Sequence, residues 1–107
     1  MMRASSFSID GKEPIVTVEL IGTLRHHAGK EKLQVPISGA SDVISFIREL
    51  EEKYGIPKGV LTEDGEKGLR KSLLVLVNGL EIGVLDGFET LLTSGDRLIL
   101  IPVSHGG

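Results

Sequence analysis

The chain ends in Gly106-Gly107, directly behind an apolar strand-like run. Glycine lacks a Cβ, so such a tail threads a narrow channel and comes close to other groups. Its terminal carboxylate at Gly107 is unhindered. A carboxylate is a poor acyl donor until it is activated, for example as an acyl-adenylate with AMP as leaving group. The activated acyl group can then receive sulfur to become a thiocarboxylate, or be captured by a lysine amine to form an isopeptide bond. Other candidates read as bland. His26 and His27 are adjacent, so in an extended loop they point apart, and a metal pair needs other spacing and further ligands. They are read as solvated. Glu49, Glu51 and Glu52 form an acidic run. A paired-carboxylate site needs a cleft, for which so small a domain has little room, so the run is assigned to the wet face of a helix. The segment 22–30 lacks the spacing of a phosphate-cradling loop, and there is no nucleophile elbow. The chain therefore supplies an acyl group, and a partner supplies the nucleotide site and the catalytic groups.

With 107 residues the chain is one domain. Apolar residues at 40% and charged residues at 25% exclude general disorder. With no cysteine, there is no disulfide framework, thiol nucleophile or Cys-type zinc site. A net charge of −3 argues against direct nucleic-acid binding. The longest apolar run, Leu73 to Val77, is too short to cross a bilayer, and residues 1–10 lack the apolar segment of a signal peptide. No membrane association and a cytoplasmic location are expected. Only Phe7, Phe46, Tyr54 and Phe88 are aromatic, so the core must be aliphatic.

The elements that must carry the tail follow from periodicity. Residues 1–14 read as a flexible arm, with room for a short added strand at 7–9. Ile15 to Ile21 alternates as a strand, with Val16, Val18 and Leu20 on one face. Residues 22–31 read as a loop. A second strand at 32–37 carries Leu33, Val35 and Ile37 on one face, and Pro36 suits an edge position. The two are expected to form a hairpin. Ser41 is expected to cap the next helix and Asp42 to favour its dipole. Val43, Phe46, Ile47, Leu50 and Tyr54 give that helix its apolar stripe, with Glu49 and Lys53 paired on the wet side. Gly55 and Pro57 end it. Residues 56–71 read as a long surface loop. Leu73 to Val77 is a strand turned by Asn78-Gly79 into a short return strand at 80–83. A turn or short helical piece at 86–92 and a last strand at 97–103 follow. One helix against about five strands is a two-layer α+β domain. A single helix covers one sheet face. Yet residues 73–77 are apolar throughout, and Arg97, Ile99, Ile101 and Val103 share one face while Leu98 and Leu100 share the other. A partner-binding patch on the open face is expected, drawn from Val75, Val77, Ile99, Ile101 and Val103 with His105 beyond. The alternative is that the arm or residues 56–71 fold over it.

These residues carry a resemblance. Leu24-Arg25-His26-His27-Ala28-Gly29-Lys30-Glu31, Val77-Asn78-Gly79, Leu91 through Gly95-Asp96-Arg97, Ile101-Pro102 and the final Gly106-Gly107 resemble segments of the ubiquitin-like sulfur carriers. That family includes the small subunit of molybdopterin synthase, the thiamine-pathway sulfur carrier and the ubiquitin-related modifiers. The resemblance covers roughly residues 15–107. It implies a β-grasp fold at 15–103, with the first and last strands side by side, between an arm at 1–14 and a flexible tail at 104–107. It implies that an adenylating enzyme of the ubiquitin-activating type uses ATP to activate Gly107, and that a persulfide enzyme donates sulfur. No cofactor is expected to be bound by the chain itself. Residues 56–71 are longer than in compact bacterial small subunits, the last strand has Pro102 where those often have two prolines, and His105-Gly106-Gly107 looks more like the modifiers and tRNA-thiolation carriers. His105 has two readings, recognition by the activating enzyme or a solvated tail residue.

Three functions follow. A sulfur carrier would feed molybdopterin synthesis, with a large synthase subunit as partner, or a tRNA thiolase. A protein modifier would be joined through Gly107 to target-protein lysines. A plain β-grasp interaction module would function without its last two glycines. The first two make the chain an acyl or sulfur carrier, or a synthase small subunit, rather than a stand-alone enzyme.

Overall fold

Alternation of apolar and polar residues builds β1 (Ile15–Leu20), which buries Val16, Val18 and Leu20 and turns Thr17 and Glu19 the other way. The computed structural model describes residues 14–57, 59–63, 68–69 and 71–103. All of the expected arm except Pro14, and the whole tail at 104–107, lie outside these residues. β2 (Lys32–Pro36) runs antiparallel to β1, with Val18 opposite Leu33 and Ile15 opposite Pro36. The Leu20 N–H donates to the Glu31 carbonyl at 2.8 Å, and the Ile37 N–H donates to the Pro14 carbonyl at 3.0 Å. Bonded pairs alternate along an antiparallel ladder, so Pro36 falls between them and its missing N–H faces the free edge.

The sheet order is β2, β1, β7 (Arg97–Pro102), β4 (Leu73–Val77) and β5 (Leu80–Glu81). β7 lies parallel to β1 and antiparallel to β4, with Leu98 opposite Val18 and Leu100 opposite both Leu20 and Val75. β4 returns into β5 through Asn78-Gly79, whose φ angles of +50° and +89° are those a tight two-residue hairpin demands. The 3-10 turns η1 (Ile82–Val84) and η2 (Gly87–Glu89) follow. β6 (Leu91–Leu92) pairs with β3 (Ser41–Asp42). α2 (Val43–Lys53) lays Val43, Phe46, Ile47 and Leu50 on one face of the sheet. This is the β-grasp arrangement, a five-stranded mixed sheet with one main helix.

Three expectations are corrected. Asp42, rather than Ser41, caps α2. Its carboxylate accepts the Ser45 N–H at 2.9 Å, while the Ser41 hydroxyl donates to the Asp42 carbonyl. Pairing with β6 makes residues 41–42 strand, which leaves Asp42 as the last residue before the helix. Second, residues 22–31 are not all loop, because α1 (Leu24–Ala28) forms there, anchored by buried Leu24 and closed by Gly29. One buried residue in so short a helix leaves no period to read. Third, residues 56–71 are not simply surface. Ile56, Leu61 and Leu69 join the core, Thr62 is buried, and Thr62 and Leu69 form an isolated bridge.

That segment is pinned by Glu51, which is buried on α2 instead of lying on its wet face. Its Oε2 accepts the N–H groups of Gly59 (3.2 Å), Leu61 (2.8 Å) and Thr62 (3.0 Å), and its Oε1 accepts the Thr62 hydroxyl (2.8 Å). Four donors replace the water that the carboxylate has lost. Glu49 does stay on the wet side, 3.0 Å from Lys53.

Candidate functional site: the open face and the root of the tail

Residues Ser104 to Gly107, and with them His105, Gly106 and the Gly107 carboxylate, lie outside the described residues. What the structure describes is the platform from which they depart. β7 is held on both sides, by β1 and by β4. Its register with β1 ends at Leu20 and Leu100, whereas on the β4 side the Val103 N–H still donates to the Ser72 carbonyl at 2.8 Å. Pro102 sits between bonded pairs toward β4, so its missing N–H removes no bond on that side; toward β1 the last bond is from the Ile21 N–H to the Leu100 carbonyl at 3.1 Å. At the end of β1, Gly22 adopts φ +63°, and a Cβ there would stand 3.4 Å from the Pro102 ring. A side chain at 22 would meet both backbone strain and that ring. Val103 is thus the last described anchor. A span of four residues reaches at most about 14 Å.

The face of the sheet opposite α2 carries an apolar strip toward this root. Leu76 stands opposite Ile99 and Leu74 opposite Ile101, all four half-buried. Strand alternation continues the strip to Ile21 and Val103, both exposed. At the far end Arg97 donates from Nε (3.1 Å) and Nη2 (2.8 Å) to Glu19 Oε2, a charged border to the apolar rows. The buried residues of segment 56–71 enter the core on the helix side, so they do not fold across this strip.

This parity corrects two expected patch residues. Val75 and Val77 are only 2% and 5% exposed and belong to the core beneath α2. Ile99, Ile101 and Val103 lie on the open face, joined by Leu74 and Leu76. An unbroken apolar run cannot say which of its alternating sides faces out. The signal lay in pairing, because Leu76 takes the face of its partner Ile99. His26 and His27 are exposed on α1. Among the described residues, no group of three or more His, Cys, Asp or Glu side chains is placed to hold a metal ion. No helix among them is long and apolar enough to cross a membrane.

Comparison with known proteins agrees with this geometry. The sequence profile of the ThiS family matches residues 18–107. Small archaeal modifier protein 3 of Haloferax volcanii is 32% identical over 90 residues, 84% of this chain and 96% of the relative. The solution structure of small archaeal modifier protein 1 from Methanosarcina acetivorans superposes with a TM-score of 0.73 at 36% identity, covering 87% of this chain and 96% of that one. A chain in the crystal structure of the Amycolatopsis orientalis BexX/CysO complex matches with a TM-score of 0.69 at 28% identity, covering 86% of this chain and 99% of that one. The strand order and the match along residues 18–107 agree: this chain belongs to the ThiS family, the ubiquitin-like sulfur carriers and modifiers.

Proposed function

We propose that the chain is an acyl carrier that works through the carboxylate of Gly107. An adenylating enzyme of the ubiquitin-activating type docks on the open face and receives the tail. The carboxylate oxygen attacks the α-phosphorus of ATP, pyrophosphate leaves, and the acyl-adenylate forms. The terminal sulfur of a persulfide donor then attacks the acyl carbon and AMP leaves. A thiol cleaves the resulting acyl disulfide to release the thiocarboxylate, which passes its sulfur to molybdopterin synthesis or tRNA thiolation. The observation that supports this reading is that the family match runs through Gly106-Gly107, with Gly107 four positions along the sequence from Val103, the last described residue. The apolar strip beside Val103 supports a docking partner, and the complex in which one related chain was solved supports the same.

The names of the archaeal relatives favour a second reading, in which a lysine amine of a target protein captures the same adenylate. Mass spectrometry of the protein from its own cells separates the two. A free chain with one terminal oxygen replaced by sulfur is expected of the carrier. A Gly-Gly remnant on lysines of other proteins is expected of the modifier. Neither product, with activating enzyme and ATP supplied, overturns the account of the tail.

A further inference from the structure

A second apolar surface lies at the β5 edge of the sheet and on the turns that follow it. Of the seven large hydrophobic side chains that are exposed among the described residues, five come from one stretch, Leu80 to Leu91: Leu80, Val84, Leu85, Phe88 and Leu91. Val84 is 72% exposed and Leu91 61%. These residues sit on β5, the paired turns η1 and η2, and β6. Beside them lies a groove of about 440 Å³ whose apolar lining is Leu69, Leu73, Val75, Ile82 and Phe88, and which Lys71 and Glu81 also line. The groove is held in shape from below. The Phe88 ring packs so closely on Gly68 that a Cβ there would come within 2.8 Å of it, and the segment leading to Gly68 is tied down by Glu51. Large exposed apolar surface of this kind is uncommon unless something covers it.

The charge of this surface favours a basic occupant. The stretch 80–91 carries three exposed carboxylates, Glu81, Asp86 and Glu89, and no Lys, Arg or His, against one cation, Lys71, among the residues lining the groove. We propose that this surface docks a basic amphipathic segment of a partner protein, its cations facing Glu81, Asp86 and Glu89 and one large apolar side chain seated in the groove beside Phe88. An anchor in a preformed pocket within a rim of complementary charge is the usual anatomy of such a contact. Leu80 stands opposite Val77 on the helix side of the sheet, whereas Glu81 stands opposite Leu76 at the border of the open face, so a partner centred on the groove beside Phe88 leaves Ile99, Ile101 and Val103 free for an activating enzyme. The chain can therefore be held and processed at once.

The test reads binding alone, so its outcome is separate from that of the tail chemistry. The isotope-labelled full chain is titrated with the synthetic peptide acetyl-Lys-Leu-Leu-Lys-Lys-Leu-Leu-Lys-amide and followed by NMR. Resonance shifts are expected within 80–91 and at Leu69 and Leu73. Affinity is expected to fall about tenfold as salt is raised from low to high. It should fall by a similar factor in Asp86→Lys/Glu89→Lys and in Val84→Ser/Leu91→Ser, which change exposed side chains. Shifts centred on Ile99 and Ile101, equal binding of the same peptide with Glu for Lys, or no shifts at all each overturn the proposal. So does movement of the 80–91 resonances on dilution of the chain alone, which would make a second copy the occupant.

Discussion

A carboxylate taken out of water must be solvated by protein instead, and Glu51 is held in that way by three backbone N–H groups and one hydroxyl. Glu51→Ala strands those donors, so we expect it to lower the unfolding free energy by about 3 kcal/mol, read from urea denaturation. The amides of Leu61 and Thr62 should exchange faster in the same variant. Asp42 works at the other end of α2. Hydrogen bonding from Ser45, through its side chain and then its backbone N–H, holds the Asp42 carboxyl below its ordinary 3.8. A folded-state value below the unfolded one means stability that is present above pH 3.8 and lost as pH falls through the lower folded value. Asp42→Ala should therefore cost about 1 kcal/mol at neutral pH. The gap between variant and parent should narrow in acid, as denaturation at stepped pH will show.

At the scale of elements, β4 separates two jobs by parity. Its odd-numbered residues Val75 and Val77 face α2, and its even-numbered Leu74 and Leu76 face outward. The two sides should respond differently to substitution. Val75→Ala removes buried methyl groups and is expected to cost about 2 kcal/mol in stability. Leu76→Glu or Ile99→Asp should leave the thermal midpoint close to the parent's. Either should lower kcat/KM for carrier-dependent ATP–pyrophosphate exchange by about tenfold or more, because an apolar contact is lost and a charge is buried against the partner. A variant series in which both sides lose stability equally would show that the open face is core and not a docking surface.

At the scale of the molecule, the proposed function puts its chemistry on residues that are not among those forming the core. The sheet, α2 and the Glu51-pinned segment close one core, and the last described bond is that of Val103 to Ser72. Deleting Gly106 and Gly107 should leave the urea midpoint unchanged and abolish ATP–pyrophosphate exchange. Unchanged function after that deletion would instead identify a plain interaction module.

Local rules made much of this protein legible in its sequence. Alternation marked β1 and β2, the i, i+3, i+4 stripe marked α2, Asn78-Gly79 marked the hairpin, and the strand order with its motifs pointed to the β-grasp family. Each of these depends on neighbours within a few residues, where sterics and periodicity act directly. Tertiary structure alone decided the rest. Leu73 to Val77 is apolar on both sides, and only its register with Ile99 and Ile101 chose which side meets water. Glu51 reads as a wet-face charge until backbone donors from Gly59, Leu61 and Thr62 arrive to solvate it. The segment after α2 reads as a surface loop until Leu61 and Leu69 find a core to enter. In each case the deciding partner lies beyond the few residues over which local rules act, eight to eleven along for Glu51 and more than twenty for Leu74 and Leu76, so the free energy that sets the outcome exists only once the chain has folded back on itself.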